Sequence, residues 1–175
     1  MTRTFTIIAA VVLVDASSST EEQVNGTPII EIERTALSLL GSVLSLIGDA
    51  FAMYTFFSMG RRNVFVSAVK EFDEPWTERT WSRVASIEAN ASNRDGCAVR
   101  HATARLMEQD HRTRLLILLS DGIPADAGYG KGATSETNAY AIEDTRRAIV
   151  EARMHGVVPY CITIDFDTLE DDTVT

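Results

Sequence analysis

The sequence predicts an α/β domain of three layers, Rossmann-like, with a mostly parallel sheet, one antiparallel edge strand and helices on both faces. Apolar runs of strand length alternate with stretches of helical period, the pattern of strands joined by crossover helices. Runs such as Phe5–Val14 and Leu115–Leu119 are continuously apolar, as expected of strands buried on both faces. The runs Phe51–Phe57 and Val64–Val69 are separated only by a short turn containing Met59-Gly60-Arg61-Arg62-Asn63, so they form a hairpin and supply the antiparallel edge.

The elements follow in order. After the first strand, Phe5–Val14, and a turn rich in Ser, Thr, Gly and Pro, the residues Ile32, Ala36, Leu39, Leu40, Val43, Leu46 and Ile47 recur at helix spacing. They predict a core-facing helix that stops at Gly48-Asp49. After the hairpin, Pro75 opens a helix containing Trp76 and Trp81, read as its core anchors. A second helix follows Asn93 and Gly96 and carries Ala98, His101, Ala102 and Leu106. Then come the strand Leu115–Leu119, a Gly-rich loop through Gly132, the helix Ile142–His155 and the strand Val157–Ile164. Pro159 in that last strand cannot donate to a ladder, which places it at a strand start or on a sheet edge. The acidic tail after Asp165 ends without another apolar strand, so residues 1–175 are expected to form one domain cut from a longer protein, short of a last strand and helix.

With 175 residues and 45% hydrophobic content, the chain is long enough for one core. A net charge of -9 and a pI near 4.8 repel nucleic acid and anionic lipid and favour a cation. Cys97 and Cys161 fall in a predicted helix and strand rather than in a disulfide framework, so both are read as reduced and the chain as cytoplasmic. The run Phe5–Val14 is too short to span a bilayer.

The strand ending at Val14 delivers Asp15-Ala16-Ser17-Ser18-Ser19-Thr20 at its carboxyl end, where open parallel sheets bind ligands. Asp15, Ser17 and Ser19 offer one carboxylate and two hydroxyls, hard donors suited to Mg²⁺, Mn²⁺ or Ca²⁺. Taken alone, this stretch also reads as a polar turn capping the next helix. The strand Leu115–Leu119 runs into Ser120-Asp121-Gly122, and parallel strands put both carboxylates on one rim.

Together these residues resemble the metal-ion-dependent adhesion site (MIDAS) of the von Willebrand factor A (VWA) family: Asp-x-Ser-x-Ser after the first strand, a Thr before a middle helix, and Asp-Gly after the fourth strand. Asp15, Ser17, Ser19, Asp121 and Gly122 match in order. More narrowly, the chain is similar to the carboxyl-terminal A domains of NorD-like and CbbO-like adaptors, which activate nitric oxide reductase and Rubisco. That likeness lies in Phe72-Asp73-Glu74-Pro75-Trp76, Asn93-Arg94-Asp95-Gly96 with Arg100-His101-Ala102, Ser120-Asp121-Gly122-Ile123-Pro124 with Asp126, and Ile142-Glu143-Asp144-Thr145-Arg146-Arg147-Ala148. The resemblance implies that Ser17 and Ser19 ligate the ion, that Asp15 and Asp121 act through waters or hydrogen bonds, and that a MoxR-type AAA+ ATPase ring works with the adaptor. A cobalt-chelatase-type subunit couples a similar domain to such a ring and is the alternative within binding modules.

One departure is Asn93, which stands where the family has Thr. Its carboxamide oxygen suits the metal, with Asp95 as a further carboxylate nearby; helix capping accounts for both residues equally well. Ions held by neutral oxygens keep unbalanced charge, so the resemblance implies a site that takes an Asp or Glu side chain from a target protein and is not an enzyme. A haloacid-dehalogenase-like phosphatase would need a second acid two residues after its first-strand Asp, and Ser17 stands there instead. Cys97 and His101, four apart on one helix, are read as core packing rather than as zinc ligands. Gly128-Tyr129-Gly130-Lys131-Gly132 lacks phosphate-loop spacing and reads as a mobile surface loop on the rim. Glu143, Asp144, Arg146 and Arg147 read as a solvated helical face with intrahelical pairs.

Overall fold

The computed structural model of the chain describes residues 8–120, 124–126, 129 and 135–163. In chain order its elements are β1 (Ile8–Asp15), a 3-10 turn (Ser18–Glu21), β2 (Gln23–Val24), β3 (Thr27–Pro28), α1 (Ile29–Ile47), β4 (Ala50–Ser58), β5 (Val64–Lys70), α2 (Glu78–Ala85), α3 (Asp95–Met107), β6 (Thr113–Ser120), α4 (Ser135–Met154) and β7 (Val157–Thr163). The main sheet has the order β5-β4-β1-β6-β7. β1 pairs in parallel with β4 and β6, β6 in parallel with β7, and only β4–β5 is antiparallel. The three layers and the antiparallel edge are those the sequence predicts. Pro159 lies in β7, at the edge of the sheet, as its missing N–H requires.

β1 sorts its side chains onto two cores. Ala9, Val11 and Leu13 face Ala98, Val99, Ala102 and Leu106 of α3 and Ala148 and Ala152 of α4, whereas Ala10, Val12 and Val14 face Ile30, Leu37 and Leu44 of α1 and Val84 of α2. With cores on both sides no polar position is tolerated until the strand ends, and Asp15 is the first polar residue the strand presents.

Four expectations about side-chain placement need correction. The face that α1 buries runs through Ile30, Glu33, Leu37, Gly41 and Leu44. Leu39, Val43, Leu46 and Ile47, read as part of the core stripe, are exposed, Leu46 at 88%. Glu33 and Gly41 break the apolar signal on the buried face, so the more continuous stripe is the solvent one. Second, Pro75 does not open α2, which starts at Glu78 behind a Thr77–Thr80 capping box. Trp76 precedes the helix and lays its ring across Gly41, where an added Cβ would lie 2.5 Å from Cη2, and its Nε1–H donates to Ser42 Oγ at 3.3 Å. Third, Trp81 is half exposed and touches Trp76 at 6.1 Å between centroids rather than anchoring the core. Fourth, Cys97 and His101 are both exposed; the His101 ring meets Tyr54 edge-on at 5.7 Å. Cys97 and Cys161 are both free and exposed.

The short ribbon β2–β3 turns on Asn25-Gly26, both at positive φ, the pair that a two-residue hairpin favours. Glu74 receives a two-pronged ion pair from Arg83 at 2.8 and 3.0 Å and the Glu71 N–H at 3.0 Å, and the Arg83 bonds hold its carboxyl down to about 2. Arg83 also donates to Val69 O, so this segment ties α2 to β5.

Gly96 explains how closely α3 and α4 approach. A Cβ there would run into the Asp144 carboxylate and lie 3.1 Å from the Asp144 backbone carbon, which cannot move aside without shifting the helix. Gly96→Ala gains helix propensity of about 1 kcal/mol but meets an overpacking cost of roughly 1–3 kcal/mol. We expect the variant to be less stable in urea unfolding; a more stable variant would show that the two helices are not in this contact.

Candidate functional site

The site begins with a carboxylate that the fold forces inside. Asp15 ends β1 between β4 and β6 and is 0% exposed, so both its oxygens need partners. Oδ1 accepts the Ser17 backbone N–H at 2.8 Å, and Oδ2 accepts the Asn93 side-chain amide at 2.6 Å, with Ser120 Oγ at 3.5 Å. The bond to Ser17 curls the chain out of the strand. The 3-10 turn then continues, Thr20 donating to Ser17 O through both its N–H (3.1 Å) and its hydroxyl (2.6 Å). This curl brings Ser17 Oγ and Ser19 Oγ to 2.9 Å from each other, Ser17 buried and Ser19 partly open to solvent.

Residues 90–93 lace the rim together. Asn90 N–H donates to Ala16 O at 2.7 Å, Ser18 donates to Ala91 O through its N–H and its hydroxyl, and Ser58 and Ser92 exchange backbone bonds of 2.6 and 3.0 Å. Asn93 then closes the far side. While its amide holds Asp15, its Oδ1 accepts the Ala125 N–H at 2.6 Å and its own N–H donates to Ala125 O at 3.0 Å. It is 2% exposed, and it is not a helix cap: the cap position of α3 is Arg94, without a side-chain capping bond. Asp95, buried at 3% exposure, is the first residue of α3.

Behind Asn93 lies a polar cluster that the sequence reading did not find. Asp126 accepts Ser58 Oγ at 2.5 Å and Gly60 N–H at 3.0 Å, and pairs with Arg94 Nε at 3.2 Å, the two side chains 0% and 7% exposed. The Arg94 guanidinium sits 4.0 Å from the centre of the Tyr129 ring, whose hydroxyl donates to Asp144 at 3.3 Å. Burial pushes the Tyr129 hydroxyl well above its usual range. Asp144 in turn takes Arg100 at 2.9 Å. Tyr129, expected on a mobile surface loop, is therefore buried. Glu143 pairs with Arg146 and Arg147 as expected, whereas Asp144 turns inward.

The structure thus brings Asp15, Ser17, Ser19, Asn93 and Ser120 together at the carboxyl end of β1 and β6. Asp121 and Gly122, and most of the Gly-rich loop, lie outside the described residues. Among the described residues no group of three or more His, Cys, Asp or Glu side chains is placed to hold a metal ion. The donors that are present are hydroxyls, and their 2.9 Å separation fits neighbouring ligands of an ion bonded at 2.0–2.1 Å in an octahedron, about 2.9 Å apart. The donor set, two adjacent hydroxyls beside a buried carboxylate, therefore fits a hard divalent ion that Ser17 and Ser19 would hold.

Asn93 joins Asp15 to the 125–126 segment, and its replacement reads out that role. Asn93→Ala should cost about 1–3 kcal/mol in urea unfolding in chelator, the penalty of buried groups losing their partner. Asn93→Asp should cost more at pH 7, because a carboxylate replaces the amide now 2.6 Å from Asp15. Two carboxylates sharing one site raise the pKa of one of them, so this penalty grows as pH rises through the raised value and shrinks toward pH 5. Equal stability of the two variants at both pH values would contradict this pairing.

No family model matches the chain. The protein NorD of Brucella suis biovar 1 is 39% identical over 158 residues, spanning 90% of this chain and 24% of NorD. NorD of Stutzerimonas stutzeri is 37% identical over 159 residues, covering 90% and 25% of the two chains. The chain therefore spans about a quarter of the length of these relatives. Among solved structures, the PilB minor pilin of Streptococcus sanguinis superposes with a TM-score of 0.70 at 14% identity, over 94% of this chain and 52% of the pilin. BatB of Bacteroides thetaiotaomicron gives 0.64 at 18% identity, over 89% and 66%. The vWF domain of the type V pili tip protein Mfa5 of Porphyromonas gingivalis gives 0.53 at 12% identity, over 67% and 38%. The chain is homologous to a segment of proteins named NorD and shares its fold with a vWF-type domain.

Proposed function

We propose that this chain is the target-binding module of an adaptor, that it holds Mg²⁺ (or Mn²⁺ or Ca²⁺) through Ser17 and Ser19, and that it binds an Asp or Glu side chain of a target protein. The observation that carries this reading is the pair of hydroxyls 2.9 Å apart over a buried Asp15. Asp121 would complete the set from the adjoining strand end, and Asn93 would act by holding Asp15 and the 125–126 segment in place. When bound, the ion supplies a positive centre whose neutral ligands leave its charge open to an anionic group from outside. The chain's residues do the rest: they orient the hydroxyls and keep Asp15 out of water.

The reading extends to the whole adaptor through the NorD-named relatives. A MoxR-type AAA+ ring would supply force, the adaptor would select the target, and nitric oxide reductase or Rubisco would be the enzyme activated, in the cytoplasm. No described helix is long and apolar enough to cross a membrane. The domain itself would turn over no substrate, since Ser17 stands where a haloacid-dehalogenase-like phosphatase needs its second Asp as acid/base.

Millimolar Mg²⁺ or Mn²⁺ should raise the melting temperature by mass action, and Ser17→Ala with Ser19→Ala should remove the shift while the metal-free melt stays close to wild type. Asp15→Ala should also remove it, at a larger cost to the metal-free fold because a buried hydrogen-bonded carboxylate is lost. Absence of any divalent-ion effect on the wild type, by melting and by titration calorimetry, would overturn the reading.

A further inference from the structure

We propose that the turn between β4 and β5 is a second contact arm of the same site, one that receives an acidic stretch of the partner beside the carboxylate taken by the metal. This rests on the carboxylate-receptor reading above and adds the charge of the flanking partner segment.

The turn is built into the rim. Ser58 ends β4 and exchanges two backbone bonds with Ser92, one residue before Asn93. The Ser58 hydroxyl and the Gly60 N–H both donate to Asp126. Within the turn Met59 N–H donates to Asn63 O at 2.8 Å and Asn63 N–H to Gly60 O at 3.2 Å, and Gly60 takes a φ of 82° that favours glycine. At its base the Phe57 and Phe65 rings stack at 4.8 Å. A partner would meet a surface already ordered, which lowers the entropic cost of binding.

Its outer face has the composition of a contact surface. Met59 is 60% and Phe65 44% exposed, and Arg61 and Arg62 are exposed. Among the described residues neither arginine makes an ion pair within the chain; Arg34 and Arg114, which also make none, are held by backbone carbonyls, whereas Arg61 and Arg62 stand side by side on the turn. In a chain of net charge -9, two outward cations with Met and Phe beside them, on the rim of the site, select for acid. Arg, Met and aromatic residues are those enriched where proteins meet.

The test uses the 175-residue chain and two fluorescein-labelled peptides of Gly and Ser, one carrying a single Asp, the other the same Asp with a Glu pair several residues away. In millimolar Mg²⁺ at low salt, anisotropy should show the Glu-pair peptide binding about tenfold more tightly, with the advantage fading as salt screens it. Arg61→Gln with Arg62→Gln should abolish that advantage and leave single-Asp binding and the metal-induced melting shift close to wild type. An advantage that survives the double variant, or no advantage in the wild type, overturns the arm while the metal reading stands. If neither peptide binds in Mg²⁺ and the melting shift is also absent, the carboxylate-receptor reading fails and the arm with it.

Discussion

Everything on the rim is arranged around one buried carboxylate. Asp15 is placed by the sheet rather than by its neighbours in sequence: a central strand with cores on both faces admits no polar residue until it ends, and the first one is enclosed by β4 and β6. A carboxylate in that position is costly unless hydrogen-bonded. Its bond to Ser17 N–H sets the curl that brings the two serine hydroxyls together, and its bond to Asn93 reaches 78 residues along the chain to the start of α3. Removing the carboxylate would therefore loosen both halves of the site at once.

From Asn93 the constraint passes outward. Ala125 and Asp126 are held by Asn93 and Arg94, Asp126 fixes the start of the β4–β5 turn, and Tyr129 and Asp144 carry the chain of contacts to α4. Taking one partner from a buried ion pair such as Arg94–Asp126 typically costs about 3–5 kcal/mol, far more than an exposed pair. Such a cluster keeps a loop segment in register with the strand ends, as the proposed ion site would need, because hydroxyls set at the wrong spacing bind an ion poorly.

The strands were legible because central parallel strands are apolar on both faces and appear as unbroken runs; β1, β4 and β6 are of this kind. The hairpin edge was legible because only a short turn separates β4 from β5. Side-chain orientation on α1 was not. Both faces of that helix carry aliphatic residues, and the buried one is interrupted by Glu33 and by Gly41, whose lack of a side chain makes room for Trp76. Periodicity alone selects the stripe with more Leu and Ile, and burial selected the other. The β2–β3 ribbon could have been found from Asn25-Gly26.

At the site, Asp15, Ser17 and Ser19 could be named because they sit within five residues at a strand end. Asn93 could be singled out, but neither capping nor ligation describes its bonds, since the carboxamide spans Asp15 and Ala125, and that contact depends on a loop 32 residues away. Asp126, Arg94 and Tyr129 came together for the same non-local reason. Ion binding by the two hydroxyls is tested most directly by a crystal structure of the chain grown with Mn²⁺ and recorded at a wavelength where manganese scatters anomalously. One strong anomalous peak is expected about 2.0–2.2 Å from both Ser17 Oγ and Ser19 Oγ, with the Asp15–Asn93 bond intact. A rim without such a peak at millimolar Mn²⁺, or an ion bound elsewhere while the two hydroxyls remain bonded to each other, would contradict it.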